Sequence, residues 1–285
     1  MKPIAFALTA ALALLMSPTS PTHAAALSAS EAPAEVVESI HIGGVIEVDA
    51  RGEVERVTLR QSRLIPSAEK RIVDAMRAWR FEPFMVDGEA RRIRTSVYVR
   101  LDQLKSSEGF QLVFGDVEFG QPLANAQTPP RYPSNSLRDG LAAEVLIRLT
   151  LDDTGTVAKA EPVMARVLNQ RVRDEDRHRR LIAPFVESSL TAVQSWTYEF
   201  VEPREDGRKH ELLVPVVYTV QGPGVQTVEG NRAKAEPVLF ELSSPLGRPI
   251  EALARETQGR TGGLSIDPAP SPLKLLSVSA DAQAM

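Results

Sequence analysis

Leu190-Thr191-Ala192-Val193-Gln194-Ser195-Trp196-Thr197-Tyr198-Glu199-Phe200-Val201-Glu202-Pro203 decides how this chain is read. An amphipathic helix ends at Trp196, and an extended aromatic exit runs from it to a proline. The same plan stands earlier, where Val73, Ala75, Met76 and Trp79 fall on Leu190, Ala192, Val193 and Trp196. Upstream, Asp49-Ala50-Arg51-Gly52-Glu53-Val54 aligns with Asp152-Asp153-Thr154-Gly155-Thr156-Val157, and Ile42, Gly44, Ile46 and Val48 fall on Val145, Ile147, Leu149 and Leu151. Downstream, Asp87-Gly88 falls on Asp206-Gly207, and Val97 and Val99 fall on Val216 and Tyr218. Loop lengths differ while elements persist, which is the mark of an internal duplication.

Composition permits two small units. The chain has 285 residues, 43% of them hydrophobic, with a net charge of −4 and a pI near 5.7. No basic field draws in nucleic acid, so nucleic-acid binding is not expected. Cysteine is absent, which excludes disulfides and thiolate metal sites. At the start, Lys2 precedes the apolar run Ile4–Met16, and the small residues around Ala24 and Ala26 suit a signal peptidase. The run is short of the ~20 residues that span a bilayer. Residues 1–26 are therefore expected to be a cleaved secretory signal, leaving an exported, soluble protein without membrane insertion. The alternative is a tether to the inner membrane by the uncleaved segment.

The first unit, 31–101, reads as a strand at Ile40–Asp49, a turn at Gly52, a returning strand at Val54–Leu59, a helix from about Ser67 to Trp79, and a strand at Ile93–Leu101. Residues 102–128 read as a linker in which Phe110, Leu112, Phe114, Val117 and Phe119 suggest a short hairpin packed on one unit. The second unit, 129–220, opens on Pro129-Pro130-Arg131-Tyr132-Pro133 and a short helix, with strands at Leu141–Leu151 and Val157–Val163. Its Arg-rich insert, 164–182, reads as a solvated helical extension or loop, or as a docking patch for an anionic partner. Pro184 suits the start of the second helix, and Leu212–Val220 is the last strand. Residues 221–285, rich in Pro, Gly, Ala and Ser, are expected to be disordered except for Val238–Leu242, which could pair locally.

Catalytic chemistry finds no foothold. His23, His41, His178 and His210 lie in separate elements without ligand spacing, so no metal site is expected. Asp152-Asp153 belongs to a Gly-containing turn, which explains both carboxylates without acid–base work. Neither Gly43-Gly44 nor Gly262-Gly263 has the strand–loop–helix context of a phosphate cradle, and no Gly-x-Ser-x-Gly elbow occurs. Trp79, Trp196 and Tyr132 read as core. The chain is expected not to be an enzyme and to need no cofactor.

The ordered set of features resembles the C-terminal domain of the TonB family. It is carried by Pro130-Arg131-Tyr132-Pro133, Gly140, Asp152 to Val157, Trp196 to Pro203, Gly207 and Val214-Pro215-Val216 in the second unit. Arg77-Ala78-Trp79-Arg80-Phe81-Glu82-Pro83 carries it in a degenerate first unit that lacks the Tyr-Pro lead-in. The resemblance implies an α+β fold of two small units, each an antiparallel three-stranded sheet with one or two helices packed on one face. It also implies a periplasmic binding protein of the Gram-negative envelope that takes an extended peptide as an added strand, in or around energy-coupled transport. The implied partner is an envelope protein, an outer-membrane TonB-dependent transporter in the family's case. The alternative is a non-energised adaptor or small-ligand-binding protein with no transport role.

Pro215 cannot donate to a sheet ladder, so Leu212–Val220 is expected at a sheet edge, and the resemblance makes that edge the receiving one. Leu213, Pro215, Val217 and Thr219 are its candidate partner-binding residues. Their face is apolar and needs a cover, expected from the tail or the first unit. The equivalent face of the first unit, Arg92, Arg94, Ser96, Tyr98 and Arg100, reads as wet and cationic.

Overall fold

Asp49 and Asp152 close two turns with the same bonds. In the first, the Asp49 carboxylate accepts from the backbone N–H of Arg51 (2.8 Å) and of Glu53 (2.9 Å). In the second, Asp152 accepts from Thr154 (2.8 Å) and Thr156 (2.9 Å). Gly52 and Gly155 take φ of 83° and 82°, and a Cβ on either would sit 2.0 Å from the carbonyl oxygen of Phe81 or Tyr198. That close approach is used: the N–H groups of Phe81 and Tyr198 donate to the carbonyls of Gly52 and Gly155 at 2.9 and 2.8 Å. Each turn is thus tied to the chain leaving the tryptophan-ended helix, and the duplication is a repeat of hydrogen bonds as well as of residue types.

The computed structural model describes residues 35–60, 64–106, 109–202, 210–220, 236–240, 248–258, 260, 262–266 and 273–277. The expected signal segment and Asp206-Gly207 lie outside them. In chain order the first lobe holds β1 (Glu35–Val48), β2 (Val54–Arg60), α1 (Pro66–Arg77), β3 (Arg80–Phe81), β4 (Phe84–Val86), β5 (Glu89–Arg91), β6 (Ile93–Ser106) and β7 (Gly109–Phe119). Next come β8 (Leu123–Ala126), α2 (Ser134–Arg138), β9 (Ala143–Leu151), β10 (Val157–Val167), α3 (Glu175–Val193), β11 (Thr197–Glu199) and β12 (His210–Tyr218). The tail adds β13 (Val238–Leu239), α4 (Ile250–Glu256), β14 (Leu264–Ser265) and β15 (Leu275–Ser277).

The fold is mixed α+β with antiparallel sheets, and the two large sheets are wider than three strands. Their orders are β2-β1-β6-β7 and β13-β10-β9-β12-β14. Each includes strands from segments expected to be a linker or a tail. The 102–128 stretch, expected as a linker, supplies β7, paired along β6. There Gly115 and Asp116 bulge opposite Arg100, so that Phe114 and Val117, three apart, both reach the same core. The tail supplies two strands to the second sheet: β13, within the Val238–Leu242 stretch expected to pair, and β14, in a part expected to be disordered, because Leu253, Ala254, Leu264 and Ile266 have an apolar face to bury against.

Pairing also sets the repeat in register. Val99 pairs with Ile42 and Val216 with Val145, so Val99 corresponds to Val216, and Val97 to Val214. The sequence alignment is off by two residues there, a slip that a period of two conceals. With that correction, residues correspond at a shift of 103 from Asp49 to Asp152 and of 117 from Trp79 to Trp196, placing 14 extra residues before the second helix end.

Those residues fall in the Arg-rich stretch. Strand β10 runs on to Val167, with Met164, Ala165 and Val167 buried. Helix α3 begins at Glu175, with Asp174 as N-cap accepting from Arg177 N–H at 2.6 Å, so Pro184 lies inside it and not at its start. The acidic run Asp174-Glu175-Asp176 is a helix start: one carboxylate caps and two sit in the first turn, where the dipole favours them.

Helix α1 covers one face of the first sheet around Ile46, Met76, Trp79, Phe81 and Leu101. Phe114 meets Trp79 edge-on with ring centroids 5.5 Å apart. Helix α3 covers the second sheet around Ile147, Leu149, Phe185, Trp196 and Val214. Half-buried Tyr132 packs edge-on against Phe185 and Tyr218 at 5.7 and 5.4 Å. The opposite face of the second sheet, with Leu146, Met164 and Leu213, is sealed by α4 and β14. The tail is therefore the cover that face requires. On the first sheet the corresponding face is not uniformly wet, because Ser96 and Tyr98 are buried and Tyr98 packs with Leu123 and Val201.

Candidate partner-binding site

Strand β12 is paired along its whole length on one side, with β9, and for only two residues on the other, where Leu212 and Leu213 face Ser265 and Leu264. The Ile266 N–H donates to the Glu211 carbonyl at 2.9 Å, so the outward backbone groups of β12 are those of Glu211, Leu213, Pro215 and Val217. Pro215 stands where its missing N–H faces outward, the position a sheet edge tolerates. Beyond Leu213, no strand among the described residues pairs with this side of β12.

The four candidate residues do not share one environment. Leu213 is fully buried beneath Ile250, Leu253 and Leu264, so its side chain is already taken by the tail. Gly263, with φ of 83°, lets β14 pass this close: a Cβ there would be 2.8 Å from the Leu213 carbonyl oxygen. Pro215 is half-buried, Val217 is 40% exposed, and Thr219 is exposed just past the strand. The strand head is occupied, and along its second half the outward carbonyls of Pro215 and Val217 and the Val217 N–H meet no strand among the described residues. Beside Val217, its β9 partner Glu144 is buried and ion-paired to Arg166 at 2.6 Å, fixing the neighbouring strands.

Trp196 and Trp79, read as core, are both buried. The Trp196 indole donates to the Thr128 carbonyl at 2.8 Å, whereas Trp79 Nε1 has no acceptor among the described residues.

A second concave region lies on the outer face of the first sheet, a cleft of about 770 Å³ lined by Ser39, His41, Arg100, Glu118, Arg255 and Arg260 among others. Arg260 reaches from the tail to Glu118 with two bonds, at 2.9 and 2.6 Å, and Arg100 is paired with Asp102 and Asp116. Burial, followed by the nearby Arg260 charge, lowers the His41 pKa to about 4, so the ring is neutral at pH 7. Sequence reasoning missed this cleft because part of its wall, Arg255, Glu256, Gln258 and Arg260, comes from the tail. The apolar spacing Ile250, Leu253, Ala254 is the one local signal that a helix stood there.

No group of three or more His, Asp or Glu that could hold a metal occurs among the described residues. No helix among them is long and apolar enough to cross a membrane. No family model, curated protein or solved structure matches the chain.

Proposed function

We propose that this chain is a periplasmic binding protein made of two TonB C-terminal-like units, and that it takes an extended segment of an envelope partner as an added strand along Pro215–Thr219. The observation that carries this reading is the outward side of β12: one side is fully paired, no described strand pairs with the other beyond Leu213, and Val217 is exposed at its centre. Main-chain hydrogen bonds would supply affinity there, and alternate side chains specificity. The matched turns and helix exits support the two-unit reading. The partner class that the family resemblance names is an outer-membrane TonB-dependent transporter.

A photoreactive residue at Val217 in intact cells tests this. Crosslinks to an outer-membrane transporter support a role around energy-coupled transport, and crosslinks to another envelope protein support a non-energised adaptor. Purely intramolecular products, with surface controls that do trap partners, overturn strand addition at β12. The cleft at His41 favours a second reading, a small polar ligand held against the first sheet, for which equilibrium dialysis of a periplasmic extract is the direct check.

A further inference from the structure

Helix α3 is longer than its counterpart α1, and the added part carries positive charge that its neighbours leave unpaired. At the shift of 117, the first residue of α1, Pro66, corresponds to Ala183, so residues 175–182 extend α3 at its start. Arg177 and Arg180 lie in that extension, and Arg173 stands just before it. All three are exposed, and none has an ion-pair partner among the described residues, whereas Arg179 pairs with Glu175 at 2.7 Å. Arg177 sits in the first helical turn, where the dipole disfavours a cation. Helix stability does not account for it.

The buried residues His178, Ile182, Phe185, Ser189 and Val193 fix which side of α3 faces the sheet. Arg177, Arg180, Pro184, Ser188 and Thr191, spaced by three and four, form one stripe clear of that side. The far end of the stripe runs into a groove of about 490 Å³. Pro129, Pro130 and Pro133 wall it on one side, and Pro184, Thr191 and Ala192 on the other. The Ser188 hydroxyl donates to the Arg131 carbonyl at 2.5 Å, which ties the proline segment to the helix. Pro184 has no N–H, so the Arg180 carbonyl lacks its usual helical donor and adds a backbone acceptor to the stripe. Glu187, exposed in the groove wall and without an ion-pair partner among the described residues, repels a carboxylate from this half. One end of the stripe therefore suits acids, and the other suits apolar side chains.

We propose that the stripe of α3 and the proline-walled groove at its end form a docking surface for an extended segment of a partner protein. That segment carries acidic residues at one end and apolar ones at the other. Arg177 and Arg180 take the carboxylates, and the groove takes the apolar side chains. From Arg177 to Pro184 the helix rises about 10 Å, which sets about three extended residues between the two anchors. An anionic bilayer would meet the same arginines but would leave the groove unused. This surface is on α3 and does not rest on the reading of β12.

The probe is a fluorescently labelled octapeptide of three glutamates, two serines, then leucine, proline and leucine, used together with its reversed sequence. One of the two should bind the full chain saturably, and more weakly as salt is raised. The double variant Arg177→Glu, Arg180→Glu should weaken binding about tenfold, and so should Thr191→Trp, which fills the groove. Each variant should keep its melting temperature. No binding by either peptide, or an affinity unchanged in either variant, overturns the docking surface. Phosphatidylglycerol vesicles that hold the chain and its Thr191→Trp variant alike, with neither peptide bound, assign the arginines to a membrane and overturn it as well. Should the charge reversal unfold the chain, Arg177→Gln with Arg180→Gln reads the same loss with a smaller change in charge.

Discussion

His41 and Glu144 hold equivalent places in the two sheets, 103 residues apart, and meet burial in opposite ways. Glu144 is buried against Arg166 in an ion pair of 2.6 Å. His41, beside the Arg260–Glu118 pair, is kept neutral by its surroundings. The contrast extends to the whole face. Around Glu144 the sheet is apolar and sealed by α4; around His41 it opens to a polar cleft. The helix side of each lobe, by contrast, repeats turn by turn. The differences between the matched segments are thus concentrated on the faces turned away from the helices, and both candidate binding regions, at Val217 and at His41, lie there.

The largest test of the shared side is truncation of its tryptophans. Trp79→Ala and Trp196→Ala should each lower unfolding free energy by about 3–5 kcal/mol in chemical denaturation. A loss below about 1 kcal/mol at either would break the equivalence of the two helix ends. The sealed face comes next. Leu253→Ala should cost about 2–5 kcal/mol, with raised hydrophobic-dye binding as α4 loosens. No dye response would mean that Leu146 and Met164 have another cover.

Asp49→Ala and Asp152→Ala should each lower the denaturation midpoint, since each carboxylate holds two turn N–H groups, and the two losses should agree closely. Unequal losses would show that the turns only look alike. The gentlest test is titration of His41. Its folded pKa, about 4, lies below the unfolded value of 6.5, so between those values the unfolded chain binds the extra proton. Stability should therefore fall as pH drops through that window, and His41→Gln should flatten this part of the profile. An unchanged profile would place the pH response elsewhere.

Local chemistry made much of the repeat legible. Asp-x-x-Gly turns and tryptophan-ended helices announce themselves within a few residues, and the turn at Asp87-Gly88 is where the sequence puts it, with both residues at positive φ. Parity made strand faces readable but not their register, which is why Val97 and Val99 slipped by two. Pro184 misled the helix start, because a proline prefers the first turn and α3 carries it in the middle. The candidate edge was legible in Pro215, but its half-coverage was not. That depends on β14, held by Gly263 and Ile266, in a segment whose composition argues for disorder. Long-range partners leave no mark in a local window.

Leu273 and Leu275 complete a core whose tryptophan was made 194 residues before Leu273. At about 5–20 residues per second, synthesis leaves that core short of its last side chains for on the order of 10–40 s. During that interval β3 has no β15 beside it, and the first-made lobe is the last to be finished. The order of manufacture and the order of completion run in opposite directions, which keeps the leading part of the chain open while the rest is still being made.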